Sequence, residues 1–261
     1  MSSALRKRIP YDPTIYPVEE KVGEDLLQRW IVELLRPLLA RWFDAQGIVA
    51  LVGADQFIYY QQHNPIERVA PDVYVLPGVA PNTRVRSWKT WETSIVPSFA
   101  LEIVSLNWGK DYLTSPARYG AMGVPEVIVF DPAPTGPERT RWQVFRRVRG
   151  ELRKVESSDA DRVRSRALGC YLRAVGAEDT LRLRLATGPR GAVLFPTEDE
   201  AERAAKEAER AAKEAERAAK EAERAAKEAE RAATAHERSA KEAALARVAE
   251  LEAELGRRPR R

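Results

Sequence analysis

The segment Phe99-Ala100-Leu101-Glu102-Ile103-Val104 decides the fold of the first part of this chain. It is almost entirely apolar, which is typical of a strand that is buried on both faces of a sheet. From Asp111 to Met122 apolar residues recur at helical spacing, and a second apolar run, Val127–Asp131, follows. Because a helix between two apolar strands is typical of a parallel crossover, the sequence predicts an α/β fold.

The predicted elements continue on both sides of this crossover. Apolar side chains at helical spacing predict a first helix from about Val18 to Phe43, and Pro37 predicts a kink or a break near Arg36. Three short runs that precede the crossover are predicted as strands: Ile48–Val52, Gln56–Tyr60 and Asp72–Leu76. Three later runs are predicted to complete the same sheet: Arg141–Val148, Gly169–Tyr171 and Leu181–Leu185.

The composition changes sharply near residue 196 of the 261. Every Trp and most prolines precede this point, and Ala, Glu, Lys and Arg without any aromatic residue follow it. The sequence therefore predicts one folded domain over residues 1–196 and a helical tail over residues 197–261.

The tail repeats Glu-Ala-Glu-Arg-Ala-Ala-Lys every seven residues. Ala has the highest helix propensity, and pairs such as Glu209–Lys213 at i,i+4 contribute about 0.3–0.5 kcal/mol each, so a long helix is predicted. Ala201 and Ala204 begin an a/d pattern whose small side chains bury little area. Two interpretations stay open: a solvated single-helix spacer, and a weak coiled coil that forms a homo-oligomer and is strongest near Leu245–Leu255.

Composition also sets limits on compartment and partners. The single cysteine, Cys170, excludes an intramolecular disulfide, and no apolar run is typical of a signal peptide or a membrane span. A cytoplasmic protein without a membrane partner is therefore expected. The net charge of +4 divides into about +5 for residues 1–195 and −1 for the tail. A mildly basic domain is compatible with a nucleic-acid partner, and equally with a solvated surface of mixed sign.

Two acidic residues are candidates for a metal site. Glu102 lies between Leu101 and Ile103, where a charged carboxylate is costly to bury unless a cation or another partner meets it. Asp72 follows Pro71 and opens a predicted strand, although Pro-Asp is also a common turn sequence. If the two strands are neighbours, both carboxylates meet at one edge of the sheet. Carboxylates hold the Mg²⁺ or Mn²⁺ ions that polarise a phosphodiester for hydrolysis.

Several motifs together resemble those of a known family. They are Ala70-Pro71-Asp72-Val73-Tyr74-Val75, Pro97–Ser105, Asp111, Gly123-Val124-Pro125-Glu126 and Phe130-Asp131-Pro132. From about Tyr16 to Glu198 the chain resembles the Uma2 family, which belongs to the PD-(D/E)XK restriction-endonuclease-like superfamily. The resemblance implies a mixed sheet flanked by helices, which the long Ala/Glu/Lys/Arg helix follows in this chain.

The resemblance also implies a catalytic site and a Mg²⁺ (or Mn²⁺) cofactor. In that pattern Asp72 and Glu102 are the metal ligands. An acid on the first helix assists them, for which Glu24 is preferred over Glu20. Asp111 is expected just beyond, at the start of the crossover helix.

One part of the superfamily pattern, a lysine that activates the attacking water, is missing. Val104 occupies its usual position two residues after the second acid. Ser115 occupies the helical position, four residues after Asp111, where many Uma2 relatives carry a lysine. Lys110 is the nearest remaining candidate for a catalytic lysine, with Lys89 as a more distant one, and an ordinary loop cation is the alternative for Lys110.

The sequence thus predicts a Mg²⁺-dependent endonuclease that hydrolyses DNA phosphodiester bonds. The alternative is a catalytically inactive binding or scaffold protein that keeps the nuclease fold and oligomerises through its helical tail. Aromatic and basic residues near the acids are candidate DNA contacts, or equally core residues and a surface loop: Trp88, Trp91, Trp108, Arg84, Arg86 and Lys89.

Overall fold

The computed structural model describes residues 12–17, 26–105 and 109–256. Its helices are α1 (Leu26–Ala45), α2 (Thr90–Thr93), α3 (Ser115–Met122) and α4 (Glu198–Gly256). Its strands are β1 (Ala50–Gly53), β2 (Phe57–Tyr59), β3 (Arg68–Val69), β4 (Val73–Pro77), β5 (Ser87–Lys89), β6 (Phe99–Ile103), β7 (Glu126–Phe130), β8 (Trp142–Val148), β9 (Glu151–Ser158), β10 (Arg162–Arg164), β11 (Tyr171–Val175), β12 (Arg182–Thr187) and β13 (Val193–Leu194). A π-helical turn, Lys110–Thr114, leads directly into α3.

The main sheet has six strands in the order β1-β4-β6-β7-β8-β9. The central pair, β6 and β7, is parallel, and α3 lies in the connection between them, which confirms the predicted crossover. The other neighbouring strands are antiparallel. The predicted fold class, a mixed sheet flanked by helices and followed by a long helix, is therefore confirmed.

Two smaller sheets accompany the main one. A three-stranded sheet has the order β3-β2-β5, and a four-stranded sheet has the order β10-β11-β12-β13. The prediction that the last strands complete the main sheet is right for β8 and wrong for β11 and β12, which form the separate four-stranded sheet. The reason is physical: Leu172, Leu183 and Leu185 belong to the apolar core that α1 and the main sheet share, so these strands cover that core and do not extend the main sheet.

The main sheet separates two apolar cores. On one face, α1 and the four-stranded sheet pack against residues such as Val73, Leu101 and Ile128. On the other face, α3 and the three-stranded sheet pack against Tyr74, Ala100 and others. Burial of a large apolar side chain contributes about 1.5–3 kcal/mol, so both faces of β6 stabilise the fold, as its apolar sequence predicts.

The helix α1 runs without interruption through Pro37. The predicted break near Arg36 is therefore absent, and Pro37 is accommodated inside one continuous helix. The helix buries Ile31, Leu35 and Leu39 at helical spacing, which provides the packing energy that offsets the lost backbone hydrogen bond. Residues 18–25, which the sequence places in the same helix, lie outside the described residues.

The helix α3 ends at Gly123, and this end directs the chain into β7. Gly123 has a φ of 100°, and its N–H donates to the carbonyls of Tyr119 and Gly120. Only glycine adopts this conformation without strain, so Gly123 terminates α3 and allows Val124 and Pro125 to begin the next strand.

The chain divides into two compact units, Met1–Thr197 and Glu198–Arg261. In the second unit, α4 carries Glu-before-Lys ion pairs at i,i+4 in successive repeats: Glu202–Lys206, Glu209–Lys213, Glu216–Lys220 and Glu223–Lys227. Leu245, Val248 and Leu251 are exposed on it. Among the described residues, no helix combines the length and the apolar character that crossing a bilayer requires.

Candidate active site

Asp72 and Glu102 lie at the same edge of the main sheet. The strands β4 and β6 are antiparallel neighbours, with Val73 opposite Leu101. Extension of this register by one residue places Asp72 opposite Glu102. The edge is also where the parallel strands β6 and β7 end at their carboxyl termini, which is the usual position of functional sites in α/β folds.

The carboxylate of Asp72 is buried and held by two donors. The backbone N–H of Ile103 donates to Oδ2 at 2.5 Å, and the amide of Gln28, from the first turn of α1, donates to Oδ1. Burial raises the pKa of Asp72 to about 7, and the nearby negative charges of Asp55 and Asp111 raise it further, against the lowering effect of both hydrogen bonds. Asp72 is therefore fixed in direction and surrounded by negative charge.

Glu102 is 7% exposed and is oriented by α3. The hydroxyl of Tyr119 donates to Oε1 of Glu102. The pKa of the Tyr119 hydroxyl lies well above its usual value because of burial first, and then because of the charge of Glu102 and its hydrogen bond. A tyrosine that stays protonated is a permanent donor, so it holds Glu102 in one orientation.

Asp111 is the third acid at this edge. It is buried in the π-helical turn that precedes α3, and its Oδ2 accepts from the backbone N–H of Ser105 at 3.0 Å and from the Ser105 hydroxyl at 3.1 Å. Its negative charge raises the pKa of both Asp72 and Tyr119. Asp111 therefore ties the end of β6 to the start of the crossover and adds negative charge beside the two other acids.

Glu102 lines a cavity of about 240 Å³. The strand β3 supplies Arg68 to its wall, and α3 supplies Ser115 and Arg118. The Nη1 atom of Arg118 donates to the backbone carbonyl of Arg68 at 3.3 Å, so the two arginines are adjacent. The cavity thus combines a buried carboxylate with two cationic side chains.

The other predicted site residues have different outcomes. Glu24 and the Lys110 side chain lie outside the described residues; the Lys110 backbone opens the π-helical turn. Val104, at the usual lysine position, is an apolar core residue. Lys89 forms an ion pair with Glu92 at 3.2 Å, and its ammonium lies 4.6 Å from the centre of the Tyr16 ring.

The predicted aromatic DNA contacts are only partly accessible. Trp88 is a core residue, and its indole N–H donates to the carbonyl of Ile95, so it does not offer a stacking face. Trp91 is half-buried beside Tyr16, with ring centres 5.5 Å apart. Arg84 and Arg86 are exposed, and Trp108 lies outside the described residues.

Sequence reasoning missed Gln28, Tyr119, Arg68 and Arg118. Gln28 lies one helical turn before Ile31, so the apolar period of α1 could have placed its amide towards the sheet. Tyr119 and Arg118 follow Ser115 by four and three residues, which places all three on one face of α3. Arg68 gave no local signal, because it reaches the cavity through the pairing of a short strand.

The donor set at this edge fits a hard cation of the Mg²⁺ type. Asp72 and Glu102 offer oxygen atoms only, and each carboxylate oxygen that accepts one hydrogen bond keeps a second lone pair. Within residues 12–17, 26–105 and 109–256, no group of three or more His, Cys, Asp or Glu side chains is arranged to enclose a metal. Mg²⁺ does not require such a group, since it is commonly held by one or two carboxylates together with water and substrate phosphates.

Two further buried acids have arginine partners. Glu126 accepts from Arg146 at 2.8 Å and also from the Ser165 hydroxyl. Asp131 accepts two hydrogen bonds from Arg139, at 2.7 and 2.8 Å. Both acids are neutralised by these pairs and belong to the structural framework.

Cys170 is a core residue in the described structure. Burial raises the pKa of its thiol to about 12. The thiol therefore stays protonated and unreactive near neutral pH, as expected of a structural cysteine.

The chain is similar to a solved structure and to a known sequence family. A crystal structure from Anabaena variabilis ATCC 29413, described as "a putative nuclease belonging to DUF820", has 15% sequence identity, a TM-score of 0.39, and coverage of 58% of this chain and 78% of its own. No curated protein sequence gives a match. The sequence profile of the Uma2 family, described as "Putative restriction endonuclease", matches residues 18–173. This match spans more than half of the chain and includes Asp72, Glu102 and Asp111, and the chain is therefore a member of the Uma2 family.

Proposed function

We propose that this protein is a Mg²⁺- or Mn²⁺-dependent nuclease that hydrolyses phosphodiester bonds in DNA. The observation that carries the proposal is the convergence of Asp72 and Glu102 at one sheet edge, beside a cavity with two arginines. Membership in a family described as restriction endonucleases supports the same reaction class.

The roles of the residues follow from their contacts. Asp72 and Glu102 would hold the cation, and Gln28, Ile103 and Tyr119 orient their carboxylates. When bound, Mg²⁺ supplies a Lewis acid that polarises the phosphate and lowers the pKa of water. The buried position of both acids excludes bulk water, which strengthens the attraction between the carboxylates and the cation.

Asp111 adds to this electrostatic arrangement. It raises the pKa of Asp72, as does Asp55, so the carboxylates repel each other in the absence of a cation. A divalent cation removes this repulsion, which makes cation binding favourable. Glu24 and Lys110 stay candidates for the assisting acid and the catalytic lysine.

The distribution of charge supports DNA as the substrate. Between Arg139 and Arg190 the sequence has 14 basic and six acidic residues, whereas residues 1–138 have 13 basic and 16 acidic ones. In the four-stranded sheet, Arg173 lies opposite both Arg162 and Arg184. Like charges at opposite positions destabilise a sheet, and the carboxylate of Asp161 offsets part of this repulsion through its ion pairs with Arg162 and Arg173. A polyanion such as the DNA backbone would offset the remaining repulsion.

The test measures metal binding and DNA cleavage on the full chain. After treatment with a chelator, we expect Mg²⁺ or Mn²⁺ to raise the melting temperature and to start cleavage of plasmid and linear DNA. Asp72→Asn and Glu102→Gln should abolish both effects. Glu156→Gln, on the exposed strand β9, is the matched control and should leave both unchanged.

Two results would contradict parts of the proposal. If the metal raises the melting temperature and DNA binds without cleavage on any substrate, the inactive binding protein is the better description. If neither Asp72→Asn nor Glu102→Gln changes the response to metal, the metal site itself is wrongly assigned.

A further inference from the structure

We propose that Arg118, assisted by Arg68, binds the substrate phosphate in the Glu102 cavity and supplies the positive charge that the family resemblance would assign to a lysine. This inference rests on the proposed function, because it assigns the phosphate-binding part of the same site. It replaces Lys110 and Lys89 as the principal cation of the reaction.

Ser115 lies in the wall of the Glu102 cavity. The family resemblance implies a lysine at this helical position, where this chain has a serine that is only 5% exposed and lines the cavity. A hydroxyl carries no charge, so Ser115 cannot stabilise a phosphate as a lysine does. Residue 115 therefore faces the Glu102 cavity but does not supply a positively charged side chain to it.

Arg118, one helical turn after Ser115, reaches the same cavity. Residues three apart on a helix share one face, so Arg118 projects on the same side of α3 as Ser115. Its side chain lines the same cavity as Glu102 and Ser115. A longer side chain from the adjacent turn thus brings a cation to the space that a lysine at residue 115 would occupy.

The two guanidinium groups are held by backbone carbonyls. Arg118 donates through Nη1 to the carbonyl of Arg68 at 3.3 Å. Arg68 donates through its own Nη1 to the carbonyl of Pro65 at 2.8 Å, and its guanidinium carbon lies 4.5 Å from the centre of the Phe57 ring. Both groups are therefore anchored at the cavity wall, and a planar guanidinium suits two-point recognition of a phosphate.

The chemistry of the guanidinium group limits what Arg118 can do in the proposed reaction. A guanidinium keeps its proton throughout the accessible pH range, so Arg118 cannot accept a proton from the attacking water. It can bind the phosphate and stabilise the negative charge that develops on the non-bridging oxygens. Arg118 and Arg68 are therefore phosphate-binding residues, and the proton must be accepted by another group or by solvent.

The first test measures phosphate binding without cleavage. Binding of inorganic phosphate, and of a short duplex oligonucleotide in Ca²⁺, is compared for the wild-type chain, Arg118→Met, Arg68→Met and the charge-retaining Arg118→Lys. We expect about tenfold weaker binding for each Met variant and a smaller loss for Arg118→Lys, because charged hydrogen bonds are lost. Arg217→Met, at an exposed position of α4 and not part of the cavity lining, is the control.

The second test asks whether a lysine can replace the arginine. In single-turnover cleavage with Mg²⁺, Arg118→Met should lower the rate roughly 100-fold while the metal still raises the melting temperature. The double variant Ser115→Lys/Arg118→Met should recover part of the rate. Its rate should fall at alkaline pH as the lysine loses its proton, whereas the wild-type rate should not.

The outcomes separate this inference from the proposed function. Unchanged phosphate affinity and unchanged cleavage in Arg118→Met would overturn the assignment of Arg118, even if Asp72 and Glu102 prove essential. Phosphate binding that depends on Arg118 in a chain that cleaves no DNA would support the phosphate site and contradict the nuclease function. If Arg118→Met does not fold, unchanged phosphate affinity in both Arg68→Met and Arg118→Lys would overturn the proposal.

Discussion

The buried acids of the main sheet fall into two groups with opposite surroundings. Glu126 and Asp131, at the two ends of β7, are paired with Arg146 and Arg139. Asp72, which directly precedes β4, lies near the negative charges of Asp55 and Asp111, and its carboxylate accepts hydrogen bonds from two neutral donors, the N–H of Ile103 and the amide of Gln28. Burial is similar in the two groups. The comparison teaches that the sign of the neighbouring charge, and not burial itself, distinguishes a framework acid from a candidate metal ligand.

The largest expected effect comes from removal of a framework acid. Glu126→Ala should lower the free energy of unfolding by about 3–5 kcal/mol, because it leaves Arg146 and several buried donors without their acceptor. Urea denaturation measures this loss. Glu151→Ala, which removes the partner of the exposed Arg153, is the control and should change stability little. A small effect of Glu126→Ala would contradict the distinction between the two groups.

Substitution of the candidate metal ligand Asp72 should change the free energy of unfolding in the opposite direction. Asp72→Asn should raise the free energy of unfolding of the chelator-treated chain by roughly 1–3 kcal/mol at pH 8, because it removes a charge from a buried, acidic environment. An asparagine keeps an oxygen that can accept from the N–H of Ile103. Loss of stability on this substitution would place Asp72 with the framework acids.

The pH dependence of stability also tests whether Asp72 lies in a buried, acidic environment. The pKa of Asp72 is raised from 3.8 to about 7 by burial and by its acidic neighbours, so between these values the folded chain keeps a proton that the unfolded chain releases. Stability of the metal-free wild type should therefore decrease as pH rises from about 4 to about 7, relative to Asp72→Asn. Thermal melting of both proteins across this range measures the difference. Parallel pH profiles for the two proteins would be evidence against this account.

The smallest expected change in stability comes from removal of an exposed ion pair in α4. Glu216 and Lys220 form an i,i+4 pair with both side chains about two thirds exposed. Glu216→Gln should lower helix stability by only about 0.3–0.5 kcal/mol, and 1 M salt should remove most of the difference. Circular dichroism of the full chain during thermal unfolding measures it. A loss as large as that of Glu126→Ala would show that pairing alone, without burial, sets the cost.

Much of the fold was predictable because apolar patterns are local. The apolar run of β6 and the helical period before Gly123 were enough to predict the parallel crossover. The strand β9 was missed because its residues are mostly charged or polar and exposed, so no alternation marks it. It forms because Arg149 and Gly150, both with positive φ, turn the chain back onto β8.

The candidate site was predictable only in part. Glu102 was predicted because it is a charged residue inside an apolar strand. Asp72 was predicted because it belongs to a Pro-Asp motif that precedes another strand. Gln28 and Arg68 depend on how distant segments pack against the same edge, which no local pattern encodes. The assignment of Lys110 and Glu24 rests on motif position and stays a prediction.

The seven-residue repeat of α4 determines the steps in which the length of this helix can change. At 1.5 Å per residue, its 59 residues span about 88 Å, which equals the length of about 26 base pairs of duplex DNA. One seven-residue repeat adds about 10.5 Å and nearly two full helical turns, so it preserves the orientation of the helix surface. Gain or loss of a repeat would therefore change the span in steps of about three base pairs while preserving the Glu–Lys pairing of the other repeats.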